Sequence, residues 1–288
     1  MCKNKIQENI GLFKCPICGN KMDLYNLKSL ICPKNHCFDL SKTGYVNFLL
    51  NSVKTQYDKE MLKSRNIVCK NSFFEPMVEQ VSEIILRYIS NVSCKKSMIL
   101  DAGCGEGSHL NQVINKLNDK SRIKFDGIGI DISKEGIKIA SKEYPDNIWC
   151  VGDLAKIPFM NKKFDVILNI LSPSNYSEFN RIISDRGILI KVVPGSSYLK
   201  ELRELFYGKT DKQEYSNEKV LRHFNNNFHM IHEQQILYTV ELDKEYLERL
   251  IKMTPLSWNA SKDKIQRAFN IGLENITVDF TVMCGKKN

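Results

Sequence analysis

From Ser97 to Val193 short apolar runs of strand length alternate with segments of helical period. The apolar runs are Ser97–Asp101, Phe125–Asp131, Ile148–Val151, Phe164–Leu171 and Gly187–Val193. Between them, helices are read at Leu110–Leu117, from Ser133 through Gly136 and Ala140 to just before Pro145, and at Tyr176–Ile183. Strands alternating with helices build a parallel sheet covered on both faces, so the fold class is α/β, a doubly wound Rossmann-like sheet. Two further strands, Ile231–Leu242 and Ile276–Cys284, flank a helix capped by Asp243 and running to Met253, which suits an antiparallel pair at one sheet edge.

The N-terminal stretch follows other rules. Cys15-Pro16-Ile17-Cys18 and Cys32-Pro33-Lys34-Asn35-His36 present two ligand pairs thirteen residues apart. Two tight turns, each offering two side chains, give zinc its tetrahedron with little strain. Cys37 adjoins His36, and adjacent side chains rarely reach one metal, so the spacing leaves the fourth ligand open between them. Four protein ligands leave no free position, which makes such a metal structural rather than catalytic. A segment of about 50 residues needs a staple of this kind. It holds seven Lys and three acids, a net +4 of the chain's +9. The expected domains are therefore 1–52, a zinc ribbon, and 53–288, with a helical region at 53–96 and the sheet core at 97–288.

In that helical region Met61, Leu62, Arg65 and Val68, then Met77, Val81, Ile84, Ile85 and Tyr88, recur at helical spacing on either side of Pro76. The later cysteines (Cys69, Cys94, Cys104, Cys150, Cys284) are scattered and read as small buried hydrophobes. No apolar run reaches the ~20 residues a membrane span needs. No apolar stretch of signal type follows Met1–Lys5, and reduced thiols are expected, so cytoplasm is the expected compartment.

The chemistry-bearing turn is Leu100-Asp101-Ala102-Gly103-Cys104-Gly105-Glu106-Gly107, between a strand and a helix. Its glycines let backbone approach a ligand closely. A dinucleotide fingerprint would put the third glycine at position 108, which is Ser108, and fixed acids beside a pyrophosphate would repel it. Asp101 and Glu106 instead suit a cationic cofactor such as the sulfonium of S-adenosylmethionine, set against Gly103, Gly105 and Gly107. Asp131, ending the second strand, is placed for the ribose hydroxyls, or else caps the following helix. Asp153, after the third strand, is placed for the adenine amino group, or is a simple turn aspartate.

These residues resemble the bacterial 23S ribosomal RNA (guanine-N1)-methyltransferases along nearly the whole chain. The resemblance rests on Phe13–Cys18, on Ile31, Cys32, Pro33, His36, Phe38 and Asp39, and on Lys42–Asn47. It continues with Asp101–Gly107, Pro194-Gly195 and Met253-Thr254-Pro255-Leu256-Ser257-Trp258. It implies a class I methyltransferase domain joined to a zinc ribbon that recognises RNA. It also implies one zinc on Cys15, Cys18, Cys32 and His36, leaving Cys37 aside. Cofactor contacts carry over to Gly105, Glu106, Phe74 and Tyr198; the family has Tyr and His at the last two places, so Phe74 offers no hydroxyl here. The implied substrate is N1 of a guanine in a hairpin loop of 23S rRNA domain II, with either of two guanines open.

Polar groups after the fourth strand (Asn169, Ser172, Asn175, Tyr176) and Trp258, as a stacking surface, are candidates for the acceptor side; no base is singled out. Two other classes compete. A methyltransferase for tRNA or a small molecule would share the glycine turn, and a non-catalytic zinc RNA-binding protein would leave it idle. The expected partner is a 23S rRNA hairpin and no membrane; a homodimer is an allowed assembly.

Overall fold

Among the described residues six strands lie parallel, because each returns through a helix or a long crossover, and an antiparallel pair closes one edge. The computed structural model describes residues 2–51, 53, 55–89, 96–208 and 216–288. Cys94 and the division placed at residue 52 lie outside them. The chain runs α1 (Cys2–Glu8), β1 (Asp23–Tyr25), β2 (Ser29–Ile31), β3 (Cys37–Asp39), β4 (Val46–Asn47), α2 (Lys59–Lys70) and α3 (Glu75–Ile89). It continues β5 (Lys96–Ala102), α4 (Ser108–Lys120), β6 (Lys124–Asp131), α5 (Lys134–Glu143), β7 (Ile148–Val151), β8 (Phe164–Ile170), α6 (Tyr176–Ile182) and β9 (Ile183–Pro194). The last elements are α7 (Lys200–Tyr207), α8 (Glu218–Asn225), β10 (Phe228–Glu241), α9 (Lys244–Met253), α10 (Lys262–Ile271) and β11 (Asn275–Lys287).

The large sheet has the order β10-β11-β9-β8-β5-β6-β7-β4. The strands from β9 to β4 pair in parallel, while β11 runs antiparallel to both β9 and β10. Its central strands are apolar on both sides, as a doubly covered sheet requires. Val166, Leu168, Ile188 and Ile190 face a core shared with α3 and α4, and Ile167 and Leu189 face the other core with α6.

The N-terminal module supplies part of that second layer. Ile6, Phe13 and Phe38 join Leu100, Ile128 and Ile167 in one cluster. Lys14 N–H donates to Pro158 O at 3.0 Å and Met160 N–H to Leu12 O at 2.8 Å, so the segment after β7 is clamped by the module. The three-stranded sheet β1-β2-β3 carries the metal-binding turns, whereas β4 extends the large sheet beside β7. Thr43 Oγ1 lies 2.8 Å from Ser141 Oγ on α5, a second tie between module and sheet.

Helix starts follow their caps: Asp58, Ser133, Asn175 and Asp243 each accept a backbone N–H from the first turn. Helices α7, α8 and α10, and the short N-terminal α1, have no counterpart in the reading from sequence. No helix among the described residues is long and apolar enough to cross a membrane.

Candidate cofactor and acceptor sites

The four residues of the two ligand pairs converge. Cys15 Sγ and Cys32 Sγ each lie 3.4 Å from His36 Nδ1, and Cys18 Sγ lies 3.5 Å from Cys32 Sγ. All four ligand atoms fall within 4.8 Å of one another. A zinc tetrahedron with Zn–S near 2.3 Å has edges of about 3.8 Å, so the set fits one zinc with no open position. Cys37 is exposed and turns to Asp39 Oδ1 instead.

At the carboxyl ends of β5 and β6 the glycine turn has left-handed backbone at Gly103, Gly105 and Gly107, with φ of 86°, 58° and 87°. A Cβ at Gly107 would meet Trp149 at 2.5 Å and Ala140 at 2.8 Å, so this position needs glycine for packing as well as for φ. Asp131 holds the turn. Its Oδ2 accepts Gly105 N–H at 2.8 Å and its Oδ1 accepts Ser133 N–H at 2.7 Å. The cap of α5 is Ser133, whose hydroxyl accepts Gly136 N–H; Asp131 therefore does not serve as the cap.

Two cavities open beside this turn. The smaller, about 260 Å³, is lined by Gly103, Gly105, Asp131, Ser133 and Asp153. The larger, about 610 Å³, is lined by Phe74, Tyr176, Lys191, Tyr198, His223 and Thr254 among others. Tyr57, Arg65, Leu171, Ser172 and Pro173 belong to both walls. Leu171, the residue after β8, has left-handed backbone at φ 52°, a conformation that a residue other than glycine adopts only under constraint.

The sequence-derived residues divide accordingly. Gly103, Gly105, Asp131 and Asp153 face the smaller cavity, and Phe74 and Tyr198 face the larger. Asp101 lies beneath the turn, 1% exposed, with Oδ1 lacking a hydrogen-bond partner among the described residues. Burial pushes its carboxyl up to about 7, against the pull of the Arg65 guanidinium. That orphaned acceptor under a glycine turn suits a ligand bearing positive charge. Glu106 and Gly107 stand behind the turn. The Glu106 carboxylate is taken by Asn66 Nδ2 at 2.8 Å and Ser108 Oγ at 2.6 Å, and burial pushes it up. Phe74 is sealed between His109 and Phe280, with ring centroids 4.7 and 5.9 Å away.

Among the acceptor-side candidates, Asn175 is spent as the cap of α6 and on Leu154 O. Asn169 donates to Ala102 O and Pro173 O and accepts from Ser174 Oγ and Lys191 Nζ. Ser172 and Tyr176 face the larger cavity. Trp258 is 40% exposed and edge-on to Tyr57, so it is not a core residue.

Two residues in the walls escaped the reading as site residues. Arg65, on α2, reaches the Glu106 carboxylate at 3.8 Å and His109 Nδ1 at 3.5 Å, and its side chain lines both cavities. Lys191, on β9, is the only charged residue between Gly187 and Pro194. That lone charge in an interior strand was its sequence signal.

A third hollow, about 740 Å³, runs between the loop after β3, α2 and α5. Lys42, Lys59, Lys63, Lys138 and Lys142 line it against Glu135 and Glu143. Lys138 is paired with Glu135 at 2.6 Å. The remaining excess of positive charge suits a phosphate backbone.

Residues 13–55 match the family model described as RlmA, N-terminal, a zinc ribbon, and residues 94–249 match a methyltransferase domain. The chain is 42% identical over 282 residues to YxjB of Bacillus subtilis, a protein assigned by its name to the 23S rRNA (guanine-N1)-methyltransferases. That match covers 97% of this chain and 98% of YxjB. It is 25% identical to the 23S rRNA (guanine(748)-N(1))-methyltransferase of Streptomyces fradiae, over 94% of this chain and 95% of the other. A shorter match, 29% over 101 residues, is to a phthiotriol/phenolphthiotriol dimycocerosates methyltransferase of Mycobacterium leprae, covering 34% and 36% of the two chains.

Proposed function

We propose, for a chain that belongs to the 23S rRNA (guanine-N1)-methyltransferases, that it methylates N1 of a guanine in a hairpin loop of domain II, in the cytoplasm. The observation that carries this reading is the shared wall of the two cavities at Arg65, Leu171 and Ser172, which lets a donor and an acceptor meet. The homodimer considered from sequence is not part of it.

S-adenosylmethionine, when bound, supplies an electrophilic methyl group on a sulfonium. In the smaller cavity Asp131 would accept the ribose hydroxyls with the lone pairs its backbone contacts leave free. Asp153 meets the adenine. Asp101, buried beneath the turn, would favour the cationic end of the methionine through its charge, and Arg65, on the wall of both cavities, would hold its carboxylate. Gly103 and Gly105 give the backbone its close approach; Glu106 acts from behind, fixing the turn to α2 through Asn66. Phe74 and Tyr198 wall off the acceptor side.

A guanine must leave its stack to enter the larger cavity. Tyr57, with Trp258 against it, offers an aromatic rim to the extruded base. The zinc on Cys15, Cys18, Cys32 and His36 keeps the module's shape and does no chemistry. The lysine-lined hollow beside that module supports docking of the RNA backbone.

Incubation of the protein with methyl-labelled donor and 23S rRNA, tRNA or a small-molecule panel tests the reading. Label in 23S rRNA alone supports it. Label only in tRNA or a small molecule would replace the substrate, and no donor binding would remove the enzyme class.

A further inference from the structure

We propose that Lys191 meets the acceptor base in the larger cavity, where its ammonium donates a hydrogen bond to guanine O6 and stabilises the negative charge that gathers there during methylation. This rests on the methyl-transfer reading above and adds the residue that reading lacks.

Lys191 is 4% exposed and lines the larger cavity. Its Nζ donates to Asn169 Oδ1 at 2.6 Å and to Ser172 O at 3.1 Å. An ammonium has three donors, so one N–H remains for a ligand. No carboxylate forms an ion pair with it among the described residues. A buried cation held only by neutral acceptors is costly to the fold, and perturbed buried charges of this kind cluster at functional sites. Burial alone pushes its pKa down to about 8, so the ammonium predominates at neutral pH.

Among the described residues, the titratable and charged groups that line the same cavity are Arg65 of α2, Tyr57 ahead of α2, Tyr176 of α6, Tyr198 after β9, and Lys219 and His223 of α8. On the neighbouring strands Lys191 is flanked by Asn169 of β8 and Met283 of β11, neither of which is charged. None of these groups is a carboxylate, and with Arg65 they make the cavity electropositive.

That charge matches the chemistry. Neutral guanine carries a proton on N1, and its loss leaves an anion shared between N1 and O6. The N1–H proton passes to water, the N1–CH3 bond forms, and the S–CH3 bonding pair returns to sulfur as a neutral thioether. A donor already aimed at the forming oxyanion lowers that barrier without reorganisation. Adenine, with an amino group in place of O6, would oppose the same donor.

The test uses the full-length protein, S-adenosylmethionine and a 23S rRNA transcript under single turnover. Lys191→Met is expected to lower the methyl-transfer rate by ~100-fold or more, the usual loss for one oxyanion donor. Affinity for S-adenosylmethionine should stay within about twofold, which separates chemistry from binding. The wild-type to Lys191→Met rate ratio should shrink as pH rises through about 8, because the wild type loses its ammonium there. Lys191→Arg keeps a charge at every pH, and should recover ~10-fold or more over Lys191→Met. If Lys191→Met does not fold, the wild-type to Lys191→Arg ratio is read instead and should fall over the same window. A Lys191→Met rate within about threefold of wild type would overturn the proposal. So would a pH-independent ratio, or loss of donor binding in both variants. A wild type that binds the donor but methylates no 23S rRNA fails the underlying reading rather than the role of Lys191.

Discussion

Gly105 N–H donates to the Asp131 carboxylate at 2.8 Å, so the glycine turn after β5 is pinned to the tip of β6 by a side chain that also faces the smaller cavity. One carboxylate thus shapes the turn and is presented to its ligand. Asp131→Ala should remove both contributions. Affinity for S-adenosylmethionine is expected to fall by ~1–3 kcal/mol, the range for losing hydrogen bonds to a charged group. Isothermal titration reads it directly, and an unchanged affinity would confine Asp131 to the turn.

The metal cluster gives a sharper contrast between neighbours. Cys37→Ser should leave one zinc per chain, because Cys37 faces Asp39 and not the cluster. Cys15→Ser or His36→Ala should lose the metal and destabilise the module, since structural zinc contributes folding free energy on the order of 10 kcal/mol. Metal analysis of the three purified variants decides it. Zinc lost with Cys37 and kept with His36→Ala would exchange their roles.

The features legible in the sequence are those set by local spacing. The two ligand pairs, the glycine turn, the cap at Asp243 and the apolar strand runs each depend on residues a few positions apart. Arg65 and Lys191 were not legible as site residues, because their role depends on which elements meet over them. Arg65 falls on the apolar stripe of α2 with Leu62 and Val68, and only the docking of α2 over the glycine turn turns that into a cavity wall. The lysines of the third hollow are likewise spread over three elements, and Lys59 with Lys63 and Lys138 with Lys142 face one another only after folding. Conversely, Glu106 sits in the most recognisable motif of the chain, yet its carboxylate is consumed by Asn66 and Ser108.

Asp101 should make stability depend on pH. Its folded pKa, about 7, lies above the ordinary aspartate value of 3.8. The folded protein therefore holds the proton more tightly, and the stabilisation is complete below about 4 and lost as pH rises through about 7. Asp101→Asn removes this dependence. Without cofactor, its melting temperature relative to wild type should climb between pH 5 and pH 8. A difference that stays flat would mean that Asp101 is already ionised in the folded protein.

RNA docking should respond to the third hollow. Changing Lys42, Lys59, Lys63 and Lys142 to Ala is expected to weaken binding to 23S rRNA and to flatten its salt dependence. Each lost phosphate contact should reduce the slope of log affinity against log salt by about 0.7 to 0.9. Affinity for S-adenosylmethionine should not move, because none of the four lines the smaller cavity. An unchanged salt slope would place the RNA on another face.

The central claim is methyl transfer to guanine N1, and primer extension tests it most directly, because a methyl on N1 blocks Watson–Crick pairing and halts the polymerase. Purified protein, S-adenosylmethionine and unmodified 23S rRNA should yield one new stop, at a guanine of the domain II hairpin, confirmed as N1-methylguanine by mass spectrometry of the nucleosides. A transcript that reads through that hairpin unchanged, with label found on another base or another RNA, would contradict the account.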